Sequence, residues 1–161
     1  MSSRWVVNAS PLILLGKVDQ LQLLRNQSDE LIIPHGVAQE VRVQPEGERL
    51  FEQLLSPPVA RIESEVAIPQ EVAVWNLGHG ESEVLAQAMV KRPSRVVVDD
   101  LEARRCAETL GVGVIGTLGV VLRARRKGLI SAARPVVTRL REVGLYVSDD
   151  LVEKVLAHLN E

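Results

Sequence analysis

Four residues whose side chains offer oxygen ligands, Asn8, Glu40, Glu81 and Asp100, lie far apart in the sequence. Each is at the end of a predicted strand or on the helix that follows one. The carboxyl ends of parallel strands meet at one edge of a sheet, so we expect these four side chains to converge there. Mg²⁺ and Mn²⁺ prefer such ligands, and a bound ion can activate water and neutralise charge on a phosphate. The pattern therefore favours a metal-dependent phosphodiesterase.

Each of the four residues also has an ordinary structural interpretation. Asp100 directly follows the apolar run 96–98 and serves equally well as a ligand or as a helix N-cap, a role that Asp99 can also take. Glu81 is an acid in the first turn of a helix, where the helix dipole favours it. Glu40 has apolar neighbours, and a surface acid usually points to solvent. Asn8 can cap or turn the backbone, and its amide binds Mg²⁺ more weakly than a carboxylate does.

Three further polar residues have mainly structural interpretations. Ser10 is predicted to cap the first helix, with Pro11 at its first position, and its hydroxyl can also bond a water or a phosphate. Thr117 is predicted to cap a later helix, with its hydroxyl at the same sheet edge as Asp100. His79 is interpreted as a mobile surface residue of a turn over 78–80. The basic run 123–127 closes a helix, where positive charge is favoured, and can also hold an RNA backbone.

The elements that must position these side chains alternate along the chain. Short apolar runs predict strands over 4–7, 30–33, 59–62, 95–98 and 112–115. Between and after them, helices are predicted from Pro11, through 37–41, over 46–55, after Gly80, and over 101–110, 118–127, 136–143 and 149–159, with an extended piece over 145–147. Ser148 is the predicted cap of the last helix. The alternation indicates an α/β fold with a parallel sheet and helices on both faces.

Composition narrows the class of protein further. A chain of 161 residues with 46% hydrophobic residues fits a single domain over 1–161, in which the part from about 131 onward forms a helical extension. The 19 basic and 21 acidic residues give a net charge of -2, so any RNA contact needs a local basic patch. The single cysteine, Cys106, excludes an intrachain disulfide. With no long apolar run, we expect a soluble cytoplasmic protein.

Five motifs, taken in order and spacing, resemble the PIN-domain family, in particular its VapC-related prokaryotic branch. They are VVNASPLI at 6–13, the stretch from Ile33-Pro34 to Glu40-Val41, GESE at 80–83, VDDLEAR at 98–104 and VIGTLG at 114–119. Because the motifs extend over nearly the whole chain, the resemblance is much more specific than any one of them.

The resemblance implies a three-layer α/β/α fold with a mostly parallel central sheet, and Mg²⁺- or Mn²⁺-dependent endoribonuclease activity. It also implies the toxin role of a toxin–antitoxin pair, with a small antitoxin as partner and a homodimer as the assembly. The four acidic motifs of the family fall on Asn8, Glu40, Glu81 and Asp100, with Asp99 as the neighbouring option. Glu83 is an outer-shell position, Ser10 and Thr117 match polar positions near the site, and Arg104, Arg123 and Arg126 are candidate RNA contacts.

Asn8 is the departure from the family pattern, since PIN domains usually have aspartate there. The loss of one negative charge should weaken metal binding. Two other hypotheses therefore stay open. One is a catalytically weak PIN domain that binds RNA or a partner protein. The other is a receiver-like or phosphate-binding α/β domain, which is disfavoured because no glycine-rich phosphate loop follows a strand.

Overall fold

A parallel sheet of five short strands forms the centre of the protein, in a computed structural model that describes residues 3–55 and 60–161. The spatial order is β3-β2-β1-β4-β5 and every neighbouring pair is parallel. Strand order therefore reverses between β1 and β4, which is where α/β sheets of this kind open a crevice for ligands. The strands are β1 Arg4–Val7, β2 Glu30–Pro34, β3 Ala60–Glu63, β4 Arg95–Val97 and β5 Gly113–Ile115.

Helices cover both faces of the sheet and give three layers, as the resemblance implies. Helix α6 packs across β1, β2 and β4, with α3 and α7 beside it, whereas α8 packs with α1, α2 and α9. The helices are α1 Ala9–Lys17, α2 Gln22–Arg25, α3 His35–Arg42, α4 Gly47–Leu54, α5 Gln70–Ala73, α6 His79–Val90, α7 Leu101–Thr109, α8 Thr117–Arg126, α9 Arg134–Glu142 and α10 Asp149–Ala157.

The core is apolar from the sheet out to the last two helices. Val6 and Ile32 on adjacent strands are fully buried, and Leu140 and Leu156 of α9 and α10 belong to the same cluster of buried side chains. Each fully buried side chain of this size stabilises the fold by about 1.5–3 kcal/mol. None of the helices in the described part of the chain is both long and apolar enough to cross a membrane.

The predicted parallel sheet is confirmed, but several element boundaries differ. Val59 of the predicted strand 59–62 lies outside the described residues, and residues 145–147 do not join the sheet. Helix α1 begins at Ala9, with Asn8 at the N-cap position, so the prediction that Ser10 caps it was wrong. Pro11 fits there because N–H groups in the first turn of a helix have no partner within the helix.

Two further helix starts also differ from the predictions. The turn predicted over 78–80 is the beginning of α6, which starts at His79 with Gly78 at the N-cap position. Thr117 is the first residue of α8, and Gly116 occupies the N-cap position in its place. Ser148 does cap α10, because its hydroxyl accepts a hydrogen bond from the Leu151 N–H at 3.2 Å.

Helix α9 lacks a cap from its own neighbourhood and is capped by Glu161. The carboxylate of Glu161 accepts hydrogen bonds from the N–H groups of Ala133, at 2.8 Å, and Arg134, at 3.0 Å. These two backbone hydrogen bonds, with the nearby Arg125, lower the pKa of Glu161. A carboxylate at a helix N-terminus also interacts favourably with the helix dipole.

The substitution Glu161→Gln is expected to lower the free energy of unfolding at pH 7 by about 1 kcal/mol. Because the pKa of Glu161 is lower in the folded protein, its contribution is complete above the ordinary glutamate value of about 4.3 and is lost as the pH falls through the lowered pKa. Urea unfolding at pH 7 and at pH 3 should therefore show a difference from wild type that narrows in acid. Glu142→Gln, at an exposed position of α9, is the matched control.

Candidate active site

The sheet brings the ends of β1 and β4 side by side at the point where strand order reverses. Val7 pairs with Val97 in the register of these strands, and the Asn8 N–H donates a hydrogen bond to the Val97 carbonyl at 3.0 Å. Asn8 and Asp99 therefore follow neighbouring parallel strands and emerge at the same carboxyl edge. This edge is the position where α/β folds bind ligands.

Asn8 and Glu40 direct oxygen atoms at one point beside Gly80. Asn8 is only 5% exposed, and its Oδ1 atom is buried with no hydrogen-bond partner among the described residues. Asn8 Oδ1 and Glu40 Oε2 each lie 3.2 Å from the position that a Cβ atom on Gly80 would occupy. The two oxygens are therefore separated by at most twice that distance. Any side chain at position 80 would fill the space between them.

Asp99 is held by hydrogen bonds from two helices. Its carboxylate accepts from the Thr117 N–H and from the Thr117 hydroxyl, each at 2.7 Å, and from the Ser10 hydroxyl at 3.2 Å. Asp99 thus serves as the anion at the N-terminus of α8, where Gly116 has no side chain to cap the helix. Three donors fix the orientation of this carboxylate.

Asp100, one residue further on, has a different contact. Its carboxylate accepts a hydrogen bond from the Ala103 N–H at 2.9 Å and caps α7, and its side chain is exposed. Of the two interpretations of Asp100, the N-cap is the one that its contacts show. Asp99, the neighbouring option in the resemblance, instead accepts hydrogen bonds from Ser10 and Thr117.

Helix α6 contributes Gly80, Glu81 and Glu83, but the structure does not bring both acids to one place. The carboxylate of Glu81 folds back over Gly78, with Oε2 2.5 Å from the position of a Cβ on that glycine. The hydrogen bonds of the described residues do not tie Glu81 to Asn8 or Glu40. Glu83 is only 3% exposed and accepts a hydrogen bond from the Gly36 N–H at 2.8 Å. Because Gly36 lies in the first turn of α3, this contact ties Glu83 to the helix that carries Glu40.

A second group of ligand-type atoms surrounds Glu83. His79 Nε2 lies 3.1 Å from Glu83 Oε1, and one ligand atom from each of Glu65, His79 and Glu83 lies within 4.8 Å of the others. Sequence reasoning missed Glu65 and His79. The i,i+4 spacing of His79 and Glu83 is a usable signal once α6 is known to begin at His79. Glu65 lies in a stretch of weak pattern and gives no such signal.

The three arginines predicted to contact RNA do not share one surface. Arg104 lies at the carboxyl edge, since its Nη1 atom and Asp99 Oδ1 are 3.4 Å and 3.1 Å from the position of a Cβ on Gly116. Arg123 and Arg126 lie in the last turn of α8, which runs back from β5 to the opposite edge of the sheet. Among the three, only Arg104 adjoins the site.

The structure is a three-layer α/β/α domain in which oxygen-bearing side chains gather where strand order reverses. Consistent with this, the sequence profile of a family described as a PIN domain matches residues 4–161, and the chain belongs to that family. The predicted family is therefore confirmed, and the VapC-related branch is compatible with it and stays a prediction. PIN domains are generally nucleases.

The structural likeness is broad and the sequence likeness low. The chain is similar to the crystal structure of PAE2754 from Pyrobaculum aerophilum, with a TM-score of 0.53 and 18% identity, over 76% of this chain and 97% of that chain. At this identity the likeness shows the fold alone. No curated protein matches the sequence.

Proposed function

We propose that the protein is a Mg²⁺- or Mn²⁺-dependent endoribonuclease and the toxin of a toxin–antitoxin pair. The observation that carries the proposal is the buried Asn8 Oδ1 atom, which has no partner among the described residues and faces the same point as Glu40 Oε2. Membership of the PIN-domain family supports a nuclease.

The residues at this edge fit a divalent cation. A buried acceptor without a partner costs about 1–3 kcal/mol, and a cation is a partner that Asn8 Oδ1 can have. Asn8, Glu40 and Asp99 offer oxygen atoms only, which suits a hard cation such as Mg²⁺ or Mn²⁺. We propose these three residues as ligands. When bound, the ion supplies activation of water and neutralisation of charge on the phosphate.

The other residues of the edge have supporting roles in this proposal. Thr117 and Ser10 hold the carboxylate of Asp99, and Glu83 holds the helix that carries Glu40. Arg104 is exposed beside Asp99, where its guanidinium can bind a phosphate oxygen of RNA.

The other two residues expected to be ligands, Glu81 and Asp100, differ in their proposed roles. Glu81 is proposed as a further ligand because it follows Gly80 in the first turn of α6. Asp100 is proposed to fix the start of α7, and thereby the placement of both Asp99 and Arg104. Glu81 therefore stays in the proposed ligand set, whereas Asp100 positions its neighbours.

The finer parts of the proposal follow from the resemblance to the VapC-related branch. They are a small antitoxin protein as inhibitor, a homodimer as the assembly and the cytoplasm as the location. A gene for a small DNA-binding protein directly upstream would support the toxin role. Growth arrest on expression of the chain, relieved by co-expression of that neighbour, would test it.

A second candidate function is a binding module that holds RNA or a partner protein without cleaving RNA. The observation in its favour is Asn8 itself, because an amide stands where a carboxylate would add a negative charge to the site. Fewer carboxylates bind a divalent cation more weakly. Metal binding and RNA cleavage together distinguish the two functions.

Isothermal titration of Mn²⁺ into the protein, followed by an RNA cleavage assay on the same samples, tests the proposal. We expect Mn²⁺ binding that is weakened about tenfold or more by Glu40→Gln, since a ligand charge is lost. We expect cleavage that stops with EDTA and returns with added Mn²⁺. Glu52→Gln removes the same charge from an exposed position of α4 and should change neither. RNA binding without Mn²⁺ binding or cleavage would favour the binding module.

A further inference from the structure

A cavity lined by arginines lies at the edge of the sheet opposite the candidate active site. It has a volume of about 400 Å³ and is lined in part by Arg4, Arg92, Arg95 and Arg123. Arg4 and Arg95 are the first residues of β1 and β4, and Arg123 is in the last turn of α8. The chain therefore gathers positive charge at the amino ends of neighbouring strands, although its net charge is negative.

Two of these arginines have structural roles that account for them. Arg4 Nη1 donates to the Lys91 carbonyl at 2.7 Å, and Arg4 also pairs with Glu30. Arg92 Nη2 donates to the Leu110 carbonyl at 2.9 Å. These two carbonyls end α6 and α7, where positive charge is favoured.

Arg95 and Arg123 have no such partners. Neither makes a hydrogen bond or an ion pair with any residue in the described ranges, and Arg123 Nε is buried without an acceptor. The guanidinium of Arg95 lies over the ring of Trp5, 6.0 Å from its centroid. Burial lowers the pKa of Arg95, and the charge of Arg123 lowers it further. None of the described residues that line the cavity is acidic, so the two positive charges have no counter-charge among them. Like charges disfavour each other until an anion binds.

We propose that this cavity binds a phosphate group between Arg95 and Arg123. Guanidinium groups pair with phosphate oxygens through short, charge-assisted hydrogen bonds. The volume falls within the usual range for small-ligand sites. Trp5 is only 1% exposed, so it offers no free ring face to a base, and recognition rests on the phosphate. The phosphate can come from an RNA strand or from a free nucleotide. The proposal does not depend on nuclease activity.

Pyrophosphate is the probe for this site, titrated into the full chain in metal-free buffer. We expect binding to the wild-type protein that is weakened about tenfold or more in Arg95→Gln and in Arg123→Gln, because each removes a charge-assisted contact. Arg139→Gln removes the same charge from an exposed position of α9 and should leave the affinity unchanged. Without pyrophosphate, Arg123→Gln should unfold at the same or a higher temperature than wild type, since a like-charge contact is relieved.

The source of the phosphate is resolved by two further titrations of the same proteins. A short RNA whose affinity falls in both cavity variants would identify an RNA phosphate. A nucleoside diphosphate whose affinity falls in both, with RNA affinity unchanged, would identify a free nucleotide. The proposal is overturned if the wild-type protein binds no pyrophosphate, if both cavity variants bind it as tightly as wild type, or if Arg139→Gln weakens binding equally.

Discussion

Asp99→Asn is expected to reduce RNA cleavage at least about 100-fold, because Asp99 is proposed as a metal ligand. Loss of a residue that only supports a metal ligand usually has a smaller effect. The substitution keeps the shape of the side chain and removes its charge. The Thr117 N–H, the Thr117 hydroxyl and the Ser10 hydroxyl all donate to this carboxylate, and an amide offers only one acceptor oxygen in place of two. Mn²⁺ titration and cleavage of the same RNA, measured beside wild type, give the result.

The same contacts predict a cost in stability. Loss of a charged acceptor for these donors should lower the free energy of unfolding by about 1–3 kcal/mol. Urea unfolding checks that the variant is folded under the assay conditions. Thr117→Val separates the two effects, because it removes one hydrogen bond to Asp99 and leaves the charge. We expect that variant to lose stability and to retain part of the cleavage.

Asp100→Asn is the matched control, one residue away on the same segment. Asparagine is as good an N-cap as aspartate, so the Ala103 N–H keeps its acceptor and the free energy of unfolding should change by less than about 0.5 kcal/mol. Cleavage should be largely retained. Loss of cleavage in Asp100→Asn, together with retention in Asp99→Asn, would assign the ligand role to Asp100 and refute the ligand set proposed above.

The contrast between Asp99 and Asp100 shows what the sequence can predict and what it cannot. The run 96–98 is apolar and β-branched, so it predicts a buried strand and places both acids at its carboxyl end. The direction in which each acid points depends on the residue at which α7 begins. The sequence locates such a helix boundary only to within one or two residues. The same one- or two-residue uncertainty made Ser10 a predicted cap, whereas it donates a hydrogen bond to Asp99.

Other parts of the structure depend on contacts between distant segments. The group of Glu65, His79 and Glu83 needs the loop after β3 to lie against α6, and that loop has no periodic pattern. Arg95 and Arg123 meet only because α8 returns to the amino edge of the sheet. The basic run 123–127 was visible in the sequence. No local pattern, however, indicated that Arg95 would lie in the same cavity as Arg123. Local sequence patterns locate the ends of strands, but they do not reveal which side chains from distant segments come into contact.

Asn8→Asp is expected to tighten Mn²⁺ binding on the order of tenfold, because affinity for hard cations rises with the number of charged ligands. In the metal-free protein the new carboxylate would be buried beside Glu40 Oε2, across the space next to Gly80. Like charges in a buried place repel, so the metal-free variant should lose about 1–2 kcal/mol of unfolding free energy. Unfolding with and without Mn²⁺, beside isothermal titration, measures both effects.

The changes in Mn²⁺ affinity and in unfolding free energy together distinguish a metal centre from an asparagine that has a structural role alone. At a metal centre, Mn²⁺ should stabilise Asn8→Asp more than it stabilises wild type, and cleavage should rise with affinity. Asn26→Asp adds the same charge at an exposed position and should respond to Mn²⁺ as wild type does. A variant that is destabilised equally with and without Mn²⁺ would mean that Asn8 Oδ1 does not face a cation site. Glu40 would then be an ordinary surface acid, and the binding module would be the better account of this edge.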